Sequence, residues 1–352
     1  MLRPKSYTPP SPPGRLRHRD VPVSRVVQRA PASYSDRRLR VLVASRFIDE
    51  VQREIGEAFD AEFVDTRDSA AAIAQNETFD ALIVSIDTPM PASAIERLPE
   101  AVRAIATYSV GTDHLDVTAA SKRGVAVFNT PGVLADSVAE NALFLMLGAA
   151  RRATESIELI RSQSWRGWTP TQLVGIQLSG RTLGILGMGD IGVRVARRAR
   201  ALGMQIHYCN RQESPAAFEL DAQRLASPAE LAAESDVLLL ACPSTDATRG
   251  VVDAALLANA KPGSILVNIA RGDVIDDSAV IDALQSGQLG AAALDVFDGE
   301  PNVDPRYFDL PGVFMLPHIG SSTLEARLGM GRSVIDALRS WAAGETPPNQ
   351  VV

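Results

Sequence analysis

The chain has 352 residues, 46% of them apolar and 22% charged, with a formal net charge of −7. That length can hold two domains with substantial cores, and the acidic balance argues against general affinity for nucleic acid. No apolar run reaches 18 residues, so no membrane span is expected, and the two cysteines, Cys209 and Cys242, form neither a disulfide framework nor a zinc-ligand spacing. No metal site and a reducing, cytoplasmic compartment follow as expectations.

Residues 1–40 carry ten Lys or Arg against two Asp, which leaves a net charge of −15 on the other 312 residues. The same stretch holds Pro4, Pro9, Pro10, Pro12, Pro13, Pro22 and Pro31. It is basic and poor in acid, as transit peptides are, but its prolines would break the amphipathic helix such a peptide needs. Residues 1–38 are therefore expected to be a disordered extension.

From Leu39 onward, short apolar runs alternate with helical patterns. Strands are expected at 39–44, 81–85, 104–107 and 125–128, with a helix over 48–59. A long helix over 136–152 follows, then a Trp-bearing connector to Leu178. Further strands are expected at 182–186, 205–208, 237–241, 264–268, 291–294 and 313–316, and a closing helix over 322–343. Repeated βα alternation predicts an α/β fold with parallel sheets covered on both faces.

The run Gly187-Met188-Gly189-Asp190-Ile191-Gly192 stands between a predicted strand and a predicted helix, with a second strand after it. In that context G-x-G-x-x-G reads as a dinucleotide site. The first glycine permits the tight turn, the second admits the pyrophosphate, and the third lets helix and strand pack. An acid at the end of the second strand would accept the ribose 2′-hydroxyl. Here that position reads Asn210-Arg211. A cation in place of an acid suits a 2′-phosphate, so NADP(H) is favoured over NAD(H). The plain alternative for Arg211 is a solvated turn residue.

There are four histidines: His18, His114, His207 and His318. His18 lies in the leader, and His207 falls inside a strand. His318 follows the strand Val313-Phe314-Met315-Leu316, at the edge where α/β enzymes place their sites. Arg271 and Glu300 each stand just past another strand, in Asn268-Ile269-Ala270-Arg271-Gly272 and Asp295-Val296-Phe297-Asp298-Gly299-Glu300-Pro301. An arginine fork matches a carboxylate, a glutamate orients an imidazole, and histidine suits proton transfer near neutral pH. Arg271, Glu300 and His318 are the expected catalytic set.

Taken together, Gly187–Gly192, Asn268–Gly272, Asp295–Pro301 and Pro317–Ser322 resemble the D-isomer-specific 2-hydroxyacid dehydrogenases. The likeness extends through Ser109-Val110-Gly111-Thr112-Asp113-His114 and Asn129-Thr130-Pro131-Gly132, and covers nearly everything from Leu39 to Pro348. Trp165-Arg166-Gly167-Trp168 and Asn210-Arg211 resemble the glyoxylate/hydroxypyruvate reductase branch. The segment Leu240-Ala241-Cys242-Pro243-Ser244 departs from the histidine-containing form common in the family.

The resemblance implies two Rossmann-like parallel-sheet domains. A cofactor domain (133–318) would be inserted into a substrate domain (39–132 and 319–352), with the site in the cleft between them. It implies reduction of a small 2-keto acid to the D-2-hydroxy acid. Arg271 would hold the carboxylate, His318 would act as general acid, and the backbone N–H groups of Val110 and Gly111 would cradle the substrate. His114 would support the substrate loop. Cys242, Pro243, Thr248, Ile269, Ala270, Asp295, Gly320 and Ser321 would line the cofactor cleft. The helix over 136–152 and the connector would form a homodimer surface. Two alternatives stay open: another family substrate (3-phosphoglycerate, formate or a bulkier 2-keto acid), or a dinucleotide-sensing, corepressor-like binding module without catalysis.

Overall fold

The computed structural model describes residues 37–64, 73 and 78–352. The basic leader up to residue 36, with His18, lies outside them. The described chain builds two sheets, each wholly parallel.

The first sheet contains β1 (Arg40–Val43), β2 (Asp60–Phe63), β3 (Ala81–Val84), β4 (Ala104–Thr107) and β5 (Ala126–Phe128), in the order β2-β1-β3-β4-β5. The inner strands Ala-Leu-Ile-Val and Ala-Ile-Ala-Thr are buried at every residue, as a sheet covered on both faces requires. Alternate side chains sort to opposite faces. Val41, Val43 and Ile83 pack with α1 (Asp49–Ala58) and α10 (Leu324–Ala342). Leu42, Leu82 and Ile105 pack with α2 (Ala92–Glu96) and α3 (Val117–Arg123).

The second sheet contains β6 (Thr182–Leu186), β7 (Gln205–Cys209), β8 (Gln223–Arg224), β9 (Val237–Leu240), β10 (Ser264–Asn268), β11 (Leu289–Leu294) and β12 (Val313–Met315). Its order, β12-β11-β10-β9-β6-β7-β8, is the doubly wound dinucleotide-binding order with one strand added at the edge. The helices α4 (Ala135–Ala150) and α6 (Asp190–Ala201) cover one face. The other face carries α7 (Pro228–Glu234), α8 (Ala254–Leu257) and α9 (Asp277–Ser286). The strand order reverses between β6 and β9, and a ligand crevice opens at the carboxyl ends there.

Four elements depart from the sequence reading. The strands β2 and β8 were not expected; both are exposed edge strands whose polar residues hide the apolar signal. The long helix ends at Ala150, and Arg152 turns the chain at φ 53° into a separate α5 (Ala153–Arg161) inside the supposed connector. The helix after the glycines, expected over 193–202, begins at Asp190, with Gly189 as its N-cap.

The chain leaves the first sheet after β5 and returns to it after β12. Ser137 Oγ donates to Gly320 O at 2.7 Å, tying the first turn of α4 to the returning segment. Among the described residues no helix is long and apolar enough to cross a membrane, and no group of three or more His, Cys, Asp or Glu could hold a metal ion.

Candidate active site

The glycine turn shows what each of its residues does. Gly187 has φ +97°, and a Cβ there would lie 2.6 Å from the Cys242 backbone, so the turn after β6 is pressed against the segment after β9. At Gly189 a Cβ would meet nothing within 4 Å. That open ground lies over the N-terminus of α6, which has no side-chain cap. Uncapped N–H groups beneath free space are what a pyrophosphate needs. Gly192 is buried, Ile191 half-buried, and the exposed Asp190 accepts from Arg194 Nε at 3.0 Å. The residues present fit a dinucleotide.

Asn210 is placed differently from the expectation. Its Oδ1 accepts from Met188 N–H at 2.7 Å and its Nδ2 donates to Met188 O at 3.2 Å. The amide straps the glycine turn from the end of β7, which leaves Arg211 as the exposed group there. Arg224 of β8 donates to the carbonyls of Asn210 and Arg211 at 2.9 and 3.0 Å, which fixes this corner and brings a second cation to it.

Three loops after β10, β11 and β12 bring the polar residues together. Asn268 Oδ1 accepts from Ala270 N–H at 3.0 Å and its Nδ2 donates to Arg271 O at 2.8 Å, so the buried strand end shapes the turn that presents Arg271. Gly272 lets this turn lie flat on the next one, since a Cβ there would fall 1.9 Å from the Phe297 carbonyl carbon. Glu300 closes the second turn by accepting from Phe297 N–H at 2.9 Å through Oε1. Its Oε2 faces His318 Nδ1 at 2.8 Å. Burial pushes the Glu300 carboxyl up, but the bonds from His318 and Phe297 N–H, with Coulombic help from His318 and Arg271, outweigh it and hold the group below the ordinary range.

His318 has φ +53°, held by its N–H donating to Asp295 O at 2.8 Å. The carboxylate of Asp295, 2% exposed, accepts from Ile319 and Gly320 N–H at 2.9 Å each. Burial raises its pKa despite those two bonds. Ser321 follows in the same turn. Ile269 and Ala270 are buried below the cleft, and Thr248 Oγ1 donates to Pro243 O at 2.7 Å, closing the loop after β9. Cys242 is buried, and burial lifts its thiol to about 11.

Across the cleft, the loop after β4 carries Val110 and Gly111. A chain of hydrogen bonds braces it. Ser109 Oγ donates to Gly111 O at 2.7 Å, Thr107 Oγ1 lies 2.7 Å from Ser109 Oγ, and His114 Nε2 lies 2.9 Å from Thr107 Oγ1. The terminal carbonyl can only accept, so the donors run outward and His114 carries its proton on Nε2. Burial lowers His114 to about 4. One contact was not anticipated: Arg271 Nε donates to Asp113 Oδ2 at 2.8 Å, joining this loop to the one after β10. Asp113 belongs to the motif the sequence displays, but nothing in the sequence pairs it with a residue 158 positions away.

Residues 143–320 match the model of the D-isomer specific 2-hydroxyacid dehydrogenase NAD binding domain. A glycerate dehydrogenase of Hyphomicrobium methylovorum is 40% identical over 270 residues, 76% of this chain and 84% of that one. A glyoxylate reductase of Thermococcus litoralis is 41% identical over 276 residues, 77% of this chain and 83% of that one. The crystal structure of an NADPH-dependent glyoxylate/hydroxypyruvate reductase from Sinorhizobium meliloti, in complex with NADP and malonate, aligns with a TM-score of 0.81 at 31% identity, covering 90% of this chain and 97% of that one. With its doubly wound sheet and glycine turn, the chain belongs to the D-isomer-specific 2-hydroxyacid dehydrogenases, oxidoreductases that work with a nicotinamide dinucleotide.

Proposed function

We propose that the protein reduces a small 2-keto acid of the glyoxylate or hydroxypyruvate type to the D-2-hydroxy acid. The observation that carries this reading is the Glu300–His318 pair on loops adjoining that of Arg271, opposite the main-chain groups of Val110 and Gly111. Arg271 binds the substrate carboxylate, and the N–H groups of Val110 and Gly111 complete the cradle. Glu300 holds Nδ1 of His318, which leaves Nε2 to pass its proton to the keto oxygen. A bound nicotinamide dinucleotide supplies the hydride. The relatives named glyoxylate reductase and glycerate dehydrogenase support this substrate class.

The cofactor is NADP(H) in preference to NAD(H). No carboxylate lies at the end of β7, Asn210 is engaged by the glycine turn, and Arg211 and Arg224 supply positive charge at the ribose end. A charged hydrogen bond contributes about 1.5–3 kcal/mol, with solvent exposure keeping it toward the lower value. Arg211→Ala should therefore cut the NADPH preference in kcat/KM by about 10-fold. The protein works as a homodimer in a reducing cytoplasm: Phe144, Leu147, Ile157, Ile160, Trp165 and Trp168 expose apolar surface along α4, α5 and the connector, a patch of the kind subunit interfaces cover.

The test is a panel of 2-keto acids with NADPH or NADH, followed by nicotinamide absorbance. Turnover of glyoxylate or hydroxypyruvate, faster with NADPH, is expected. No turnover with any 2-keto acid would overturn the reading, and equal or better use of NADH would overturn the cofactor choice alone.

A further inference from the structure

We propose that Asp113 is a positioning residue for Arg271, holding its guanidinium across the cleft so that only the outer edge is offered to the substrate carboxylate. The proposal rests on the reading of Arg271 as the carboxylate-binding residue.

A guanidinium has five N–H donors and two edges that can take a carboxylate in parallel bonds: the side edge, through Nε and one terminal nitrogen, and the outer edge, through both terminal nitrogens. In this structure Nε donates to Asp113 Oδ2 at 2.8 Å and Nη1 donates to Ala270 O at 2.7 Å. The side edge is therefore engaged by a residue of the opposite domain, and one hydrogen of Nη1 by the main chain behind it. The donors left are the second hydrogen of Nη1 and the pair on Nη2. Nη2 lies against Gly111, where an added Cβ would fall 1.8 Å from it and 2.9 Å from Asp113 Oδ2. Nη2 thus lies beside the main chain of Gly111, the other half of the carboxylate cradle. Without Asp113 the guanidinium is free to turn its side edge to solvent, and the binding geometry degrades.

Asp113 is itself held in place. The bonded series from His114 through Thr107 and Ser109 to Gly111 O fixes the loop on either side of it. Its negative charge would also repel an incoming carboxylate. However, the pair is 34% and 49% exposed at Arg271 and Asp113, and at that exposure a through-space charge counts for little beside directed hydrogen bonds.

The experiment compares Asp113→Ala, which removes the acceptor, with Asp113→Asn, which keeps an acceptor oxygen and loses the charge. Each is made in the wild-type and Arg271→Lys backgrounds. The readouts are melting temperature, NADPH binding by fluorescence, kcat and KM for glyoxylate, and the dissociation constant of oxalate from the NADPH-loaded protein. Asp113→Ala should raise the glyoxylate KM and weaken oxalate binding by about 10-fold, with kcat changed less than about 3-fold and NADPH binding unchanged. Asp113→Asn should recover most of the loss. In the Arg271→Lys background, which has no planar fork to aim, Asp113→Ala should do little more. Tighter oxalate binding in Asp113→Ala, equal losses in the Asn and Ala variants, or an undiminished effect of Asp113→Ala in the Arg271→Lys background would each overturn the proposal. If the wild type turns over no 2-keto acid yet oxalate binding follows the expected pattern, the function reading fails and the positioning role stands.

Discussion

His318 occupies a left-handed backbone conformation that side-chain-bearing residues rarely adopt. The surroundings over-determine it: Asp295 holds its N–H, Glu300 holds its ring, and Asp295 again holds the two residues that follow. Strain retained in this way is characteristic of functional positions. His114 is half-buried, and that burial lowers its pKa from 6.5 to about 4. Between those two values the unfolded chain binds a proton that the folded protein does not. Stability is therefore full above pH 6.5 and falls as pH drops toward 4, by roughly 3 kcal/mol at the limit. Urea unfolding at pH 7 and pH 5 should show this loss in the wild type and a smaller one in His114→Gln, which keeps a donor for Thr107. Equal losses in both proteins would remove His114 from the acid response.

The glycine turn was legible because two signals coincide: a short, wholly buried strand and glycines at fixed offsets before a helix. Its structure separates packing from binding. Gly187→Ala would drive a methyl into the Cys242 backbone at a positive φ, so it should lower the melting temperature by several degrees. Gly189→Ala has an ordinary φ of −88° and open space, so it should melt like the wild type while losing most NADPH affinity, because the methyl fills the pyrophosphate ground. Equal NADPH affinity in Gly189→Ala would place the cofactor elsewhere. Elements without such a signal stayed hidden. The strand β2, Asp-Ala-Glu-Phe, and the two-residue β8 owe their pairing to a neighbouring strand rather than to their own apolar pattern. The role of Asn210 was hidden for a related reason, since a strand end does not reveal which loop its side chain will bond.

At the level of the whole molecule, parallel sheets and the approximate places of their inner strands followed from the sequence pattern and their division into two from the family resemblance, whereas contacts between distant loops followed from neither. Arg37 is an instance. Residues 1–38 were expected to form a disordered extension, yet Arg37 makes two bonds of 2.6 Å to Asp80, which is 4% exposed. Removing residues 1–36 should leave the melting temperature unchanged, while removing 1–37 should lower it, because the Asp80 carboxylate would lose its guanidinium partner and keep the Arg40 N–H. Identical melting of the two truncations would show that this pair contributes nothing. The Arg271–Asp113 bridge is the same kind of feature, spanning 158 positions between two sheets. Proton transfer through His318 to a keto acid held by Arg271 is tested most directly by His318→Gln, measured for NADPH binding by fluorescence and for glyoxylate turnover by absorbance. Cofactor affinity should stay that of the wild type with kcat lowered about 10²–10⁴-fold; turnover near that of the wild type would contradict proton transfer through His318.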